Sequence, residues 1–201
     1  MSKNNNSNTD IETIENYWNN RPCNIKHSDK LLGTKEYFLE VEKKRYFVEP
    51  HIPKFCDFKA YSHLKVLEIG CGIGTDGLNF AKNNCDYTGL ELSDKSLNLA
   101  KKAFEIFNLN GKFYHKNSEN DLSFLGNNTF DLVYSFGVIH HSPEPKKIVD
   151  NVHKLLKIGG KFKLMLYAEN SWKKIMINNN LDQYEAQNNC PLAYTYTNEQ
   201  V

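Results

Sequence analysis

Apolar residues first recur at Ile11, Ile14 and Trp18, a helical spacing that predicts a short amphipathic helix reaching Arg21-Pro22. Residues 1–10 are polar and Asn-rich, with nothing to bury, so a disordered tail is expected there. Beyond a loop over 22–33, Thr34 offers a cap for a second helix with Tyr37, Phe38 and Val41 on one face, and Pro50 stops it. A brief helical piece around Pro53 to Tyr61 follows. Residues 11–60 thus form a helical, aromatic front section, expected to act as packing cover or as a lid. Core packing is the expected role of most of its side chains, including Tyr17, Trp18, Tyr37, Arg45 and Tyr46.

The period changes at residue 61. Strands are predicted at Lys65 to Ile69, Asp86 to Leu92, Lys112 to His115, Phe130 to Phe136 and Lys161 to Tyr167, each a short run bounded by turn residues. Helical patterns separate most of them. One follows Gly74, with Thr75 and Asp76 as candidate caps. A second is capped by Ser93, carries Leu97, Ala100, Phe104 and Phe107, and closes at Asn110-Gly111. A third spans Lys146 to Leu156 and stops at Gly159. This alternation predicts an α/β, doubly wound, Rossmann-like parallel sheet with helices on both faces and right-handed crossovers, over residues 61–201. After Tyr167, a helix over Glu169 to Ile177 and a loop over Asn178 to Pro191 are expected. Thr197-Asn198-Glu199-Gln200 has the form of a capping box, which announces a helix start, so the expectation is a fragment of a longer chain.

Composition narrows the class. The 201 residues suffice for one domain with a real core, and the formal net charge is only +1, with lysines scattered in pairs. No basic stretch argues for nucleic acid or an anionic membrane, and no apolar run approaches membrane-spanning length. The 5 cysteines are dispersed without CxxC pairs, which fits free thiols in a reducing, cytoplasmic setting. His27, His51, His63, His115 and His153 show no ligand spacing, so no metal site is expected.

The candidate chemistry lies at Val66-Leu67-Glu68-Ile69-Gly70-Cys71-Gly72-Ile73-Gly74-Thr75-Asp76-Gly77. A buried strand, a glycine turn and a helix start let a ligand approach backbone N–H groups closely. Gly72 to Gly77 alone satisfies GxGxxG, a dinucleotide fingerprint. That register leaves Gly70 unexplained, and also Glu68, a carboxylate in an apolar strand that is costly to bury without a partner.

VLEIGCGIG at 66–74, an acidic residue ending the second strand at Glu91 in YTGLELS, FDLVYSFGVIHH at 130–141 and LLKIGGKFKLMLY at 155–167 follow in order. In these motifs the chain resembles the class I S-adenosylmethionine-dependent methyltransferases over about residues 60–167. VIHHSPEP is closest to the small-molecule, ubiquinone-biosynthesis-like (type 11) branch. The resemblance implies S-adenosylmethionine as cofactor and methyl donor and a small-molecule methyl acceptor. It implies cofactor-binding roles for Glu68, Gly70, Cys71, Gly72, Gly74, Glu91 and its neighbour Leu92, Asn117, Ser118, Ser135 and Phe136. Glu91 would hold the ribose hydroxyls and Asn117 the adenine amino group; Cys71 would serve as a small space-filler and not as a nucleophile. The Asn/Asp-Pro-Pro-Tyr/Phe motif of amino-methylating DNA and protein-glutamine enzymes is absent at Ser135 to Val138, which weighs against a nucleobase or a glutamine amide as acceptor. The family's antiparallel sixth and seventh strands are not visible in the sequence, so the C-terminal strands are expected to be missing.

Methyl transfer from a sulfonium needs alignment above all, and a base only where the acceptor keeps its proton. His140 and His141 follow the fourth strand, so either can be that catalytic base. The alternative is that one caps backbone and the other is solvated. Two other readings of the whole chain stand beside this one: an NAD(P)-dependent oxidoreductase, from the 72–77 match, and a non-catalytic cofactor-binding partner subunit.

Overall fold

A computed structural model describes residues 10–179 and 190–201. Its sheet comprises β1 (Lys65–Ile69), β2 (Asp86–Glu91), β3 (Lys112–His115), β4 (Phe130–Phe136) and β5 (Leu156–Met165), all neighbours parallel, in the order β3-β2-β1-β4-β5. The helices are α1 (Ile11–Asn20), α2 (Lys35–Val48), α3 (Ile52–Cys56), α4 (Thr75–Lys82), α5 (Asp94–Ile106), α6 (Pro145–Leu155) and α7 (Trp172–Asn178).

Strand β1 is central, and its side chains alternate between two cores. Val66 joins a cluster with Leu78 and Phe80 of α4 and Phe104 of α5. Leu67 and Ile69 join another with Ile148, Val152 and Leu155 of α6. Burial on both faces is why β1 reads as a continuous apolar run and not as an alternating one. The first cluster also takes in Tyr37, Phe38 and Val41 of α2 and Ile52 and Cys56 of α3. The front section is therefore continuous with the main core.

Several local expectations are corrected. Asp10, assigned to the tail, caps α1 by accepting from the Thr13 N–H at 2.8 Å. Neither Thr75 nor Asp76 caps α4: Gly74 occupies that position, at φ +85°. Ser93 and Thr34 do cap, accepting from Ser96 N–H at 3.1 Å and Tyr37 N–H at 3.2 Å. Helix α5 ends at Ile106, short of Asn110-Gly111, and Asn108 supplies the left-handed residue that reverses the chain, at φ 51°. Gly159 does not stop α6, because Leu155 passes straight into β5. Phe130 pairs with Leu156 and Leu132 with Lys161, so Gly159 and Gly160 lie in an irregularity of the strand.

Among the described residues the sheet has five strands and no more. Most of the loop expected over Asn178 to Pro191 lies outside the described residues. At Thr197 to Gln200 there is a turn and not a helix, with Thr197 N–H donating to the Gln200 side-chain oxygen at 2.9 Å. No helix among the described residues is long and apolar enough to cross a membrane.

Candidate cofactor and acceptor cleft

The C-terminal ends of all five strands open into one cleft, roofed by α1, α2 and the turn between them through Trp18, Asn24 and Arg45. The parallel sheet order dictates this layout, since a ligand crevice forms where successive connections leave the strand ends in opposite directions.

The glycine turn opens at Gly70. Gly70 and Cys71 both donate N–H to the Leu90 carbonyl, at 2.8 and 3.0 Å, and Gly70, Gly72 and Gly74 have φ of +75°, +54° and +85°. Each glycine has its own reason. A Cβ on Gly70 would lie 2.4 Å from Val138 Cγ2, and one on Gly74 3.0 Å from Ala100 Cβ, so these two allow close packing. A Cβ on Gly72 would meet nothing within 4 Å, and Gly72 lines the cleft: this glycine leaves space for a ligand. Gly77 abuts the Tyr87 hydroxyl and suits either register; Gly70 is explained only by a turn that begins there.

Glu91 lies across the turn. Its Oε2 accepts from Gly72 N–H and its Oε1 from Ser93 N–H, both at 2.8 Å. Burial raises its carboxyl above the ordinary range, an effect that these backbone amides offset only in part. Each oxygen keeps a second lone pair, so the carboxylate is fixed in place and still able to accept from a pair of hydroxyls.

Two more acids flank the turn. Asp76 accepts from Arg45 Nε at 3.2 Å, Arg45 Nη2 at 2.8 Å, Tyr46 O–H at 3.0 Å and Tyr134 O–H at 2.9 Å. This buried fork joins the front section to the first turn of α4, and Arg45 also reaches Glu49 at 3.3 Å. Glu68, only 4% exposed, receives a single hydrogen bond among the described residues, from Tyr87 O–H at 2.5 Å. Burial first, then the nearby Asp76 charge, push its carboxyl well above the ordinary range.

Cys71, Leu92, Asn117, Ser118 and Phe136 also line the cleft. Burial raises the Cys71 thiol well above its ordinary value, which keeps it protonated. Asn117 Oδ1 accepts from Glu119 N–H at 2.9 Å and so shapes its own turn. Three expected site residues stand behind the wall. Gly74 packs on α5, Ser135 donates to the Ile69 carbonyl at 3.1 Å, and His140 is fully buried, with neither ring nitrogen partnered among the described residues and its ring centroid 3.8 Å from that of Tyr167.

His141 does line the cleft. Its Nδ1 lies 2.6 Å from the Leu192 carbonyl, which makes Nδ1 the protonated nitrogen and leaves Nε2 with a lone pair and no partner among the described residues. Burial lowers its pKa to about 4, against the pull of Leu192, so the ring is neutral. Trp18 stands edge-on to it, with ring centroids 5.2 Å apart.

Sequence reasoning left Arg45 and Asp76 out of the site and did not single out Asn24, Tyr167, Lys173 or Leu192. Asp76 carried a usable signal, a carboxylate in the first helical turn after a glycine motif, on an otherwise apolar packing surface. The others are brought in by tertiary contacts between distant stretches.

Fold and cleft together define an α/β protein with a glycine turn and an anchored carboxylate at the C-terminal edge of its parallel sheet. Residues 67–162 match the family described as "Methyltransferase domain". A ubiquinone biosynthesis O-methyltransferase of Psychrobacter cryohalolentis is 30% identical over 124 residues, covering 61% of this chain and 48% of that protein. Sterol 24-C-methyltransferase of Saccharomyces cerevisiae is 30% identical over 98 residues, covering 48% of this chain and 26% of the other. Among solved structures, the PH0226 protein of Pyrococcus horikoshii superposes with a TM-score of 0.53 at 24% identity, over 73% of this chain and 63% of that one, which shows a shared fold. Over residues 67–162, just under half of its length, the chain is thus similar to a methyltransferase domain. It spans about half the length, or less, of the curated relatives it matches.

Proposed function

We propose that the protein is an enzyme that transfers the methyl group of S-adenosylmethionine to a small-molecule acceptor. The observation that carries this reading is the turn at Gly70 to Gly74 facing the anchored Glu91 carboxylate in one cleft. The residues fit such a methyl donor: Gly72 leaves room at the backbone, Glu91 keeps lone pairs for a ribose, and Glu68 offers a buried carboxylate beside the turn. Bound there, S-adenosylmethionine supplies an activated methyl group on a sulfonium.

The chain's own residues hold, orient and enclose. Gly70, Gly72, Glu68, Glu91, Leu92, Asn117 and Ser118 form the end nearest β1, β2 and β3, where the adenosine part would lie. Gly74 and Ser135 support that wall from behind, and Cys71 fills space. Phe136, Met165, Tyr167, His141, Lys173 and Trp18 form the end nearest β4 and β5, which the sheet order leaves for the acceptor. In this reading residues 11–60 are the cover of that cleft and residues 61–201 the methyltransferase domain. Of the adjacent histidines, His141 is the one able to take a proton from an acceptor, through Nε2; His140 supports Tyr167.

One feature supports a small acceptor: relatives whose names give ubiquinone biosynthesis and a sterol as what they serve. The near-neutral charge supports the absence of a nucleic-acid partner, and the 5 free cysteines support a cytoplasmic setting. The test is transfer of labelled methyl from S-adenosylmethionine into a metabolite extract, read by mass spectrometry. A labelled small product supports the reading; tight binding of S-adenosylmethionine with no labelled product in any extract contradicts it and favours a non-catalytic subunit.

A further inference from the structure

Two asparagines of the roof are used in opposite ways. Asn19, in the last turn of α1, fastens that helix to the start of α5: its Oδ1 accepts from Ser93 O–H at 2.9 Å and from Lys95 N–H at 3.2 Å. Asn24, in the turn that follows, is only 7% exposed, yet its Oδ1 has no hydrogen-bond partner among the described residues. The turn does not depend on that oxygen. Backbone closes it, with Ile25 N–H donating to the Pro22 carbonyl at 3.2 Å and His27 N–H to the Asn24 carbonyl at 2.9 Å. An amide oxygen buried without a donor is costly, and Asn24 also holds a left-handed backbone, at φ 64°, that glycine would hold more readily. A donor brought by a ligand would offset the first of these costs.

Asn24 lines the cleft, and so does His141, whose Nε2 is also a buried acceptor without a partner among the described residues. Roof and floor each present a lone pair, and the complement to both is a ligand that brings N–H or O–H groups. In the methyl-donor reading the donors of the nucleoside are served by Glu91 and Asn117, which leaves Asn24 for the reacting part of the ligands. We infer that Asn24 is a ligand contact of the front section: its Oδ1 accepts a hydrogen bond from an N–H or O–H group that lies beyond the nucleoside, borne by the methyl donor's ammonium or by the acceptor molecule. The inference rests on the methyl-transfer reading and extends it to a residue outside the sheet.

Asn24→Gly removes the oxygen and suits the left-handed backbone, so a ligand contact and a structural prop respond differently. Urea melts of the ligand-free variant should match the wild type. Calorimetric titration with S-adenosylmethionine and with 5′-methylthioadenosine, which keeps the nucleoside and lacks the ammonium, then finds the source of the donor. Binding of S-adenosylmethionine weakened about tenfold, with 5′-methylthioadenosine unaffected, assigns it to the ammonium. Unchanged binding of both assigns it to the acceptor, provided that labelled methyl transfer into a metabolite extract slows about tenfold at low extract concentration and recovers at high concentration. Asn24→Asp keeps an oxygen in the same place and should restore whichever effect is seen. Should the glycine variant fail to fold, Asn24→Ala removes the same oxygen and is read in the same way. Wild-type binding together with wild-type transfer overturns the inference. Equal weakening of both nucleoside ligands overturns it too, as does a loss of stability with ligand affinities and transfer unchanged. If the wild type binds S-adenosylmethionine and labels no product, the methyl-transfer reading fails and the titrations alone decide the role of Asn24. If it binds neither ligand, the methyl-donor reading fails and the inference falls with it.

Discussion

The two ends of the cleft are built in different ways. The end over β1, β2 and β3 comes from short contiguous stretches: a glycine turn, the residue that ends β2, and the turn after β3. Its polar groups are anchored by backbone amides, as Glu91 is by Gly72 and Ser93. The end over β4 and β5 is gathered from α1, the tight turn at 139–141 after β4, the end of β5, α7 and the segment around Leu192. Its orienting contact is a carbonyl 51 residues from the histidine it holds. A cofactor common to a family can be recognised by a local motif, whereas acceptor recognition depends on which distant side chains the tertiary fold brings together.

The sharpest way to break this contrast is at the link between the cover and the turn. If the front section is part of the site's frame, Arg45→Ala leaves Asp76 buried without its cation and lowers stability by about 3–5 kcal/mol. Chemical denaturation measures it, and a loss below 1 kcal/mol, on the scale of about 0–1 for an exposed pair, would mean that α2 is only loosely applied.

The next effect belongs to the β4 and β5 end. His141 has its pKa lowered to about 4, whereas an unfolded histidine titrates near about 6.5. The unfolded chain therefore binds a proton that the folded one refuses. The stability held at neutral pH is complete above about 6.5 and is lost as pH falls towards about 4, by about 3 kcal/mol in all. Urea melts at pH 7 and pH 4.5 should show this slope in the wild type and a shallower one in His141→Gln; identical slopes would remove the neutral, Leu192-bound ring from the account.

At the glycine end, Glu91→Ala should weaken S-adenosylmethionine binding by about 1–3 kcal/mol through lost charge-assisted hydrogen bonds to ribose. An unchanged dissociation constant in the folded variant refutes that role. The smallest effect completes the comparison. His141→Gln should leave methyl-donor affinity within about twofold, below the 0.5 kcal/mol expected of a site away from the contact, while reducing turnover. A large loss of affinity would show that the two ends are not separate.

Much of the fold was legible because burial and period agree along β1 to β4, and Phe130–Phe136 and Lys112–His115 fall where their sequence patterns end. The exceptions have physical causes. Asp76 was read as a cap because an acid in a first turn often is one, but a buried guanidinium and two tyrosines outcompete helix amides for it. Gly159 was read as a helix stop because a glycine after a helix often is, yet the chain enters β5 directly and places the glycine in a strand irregularity. Ser135 was placed at the site by its motif, but on β4 it faces the Ile69 carbonyl and ties two strands together. Arg45 was read as packing because nothing local marks an arginine whose partner lies 31 residues away.

The central claim is that this cleft holds S-adenosylmethionine and not a dinucleotide. Calorimetric titration of the purified protein with S-adenosylmethionine and, separately, with NAD and NADP tests it most directly. The account predicts saturable binding of S-adenosylmethionine, weakened in Glu91→Ala, and none of either dinucleotide. Tight binding of NAD or NADP with no binding of S-adenosylmethionine would contradict it.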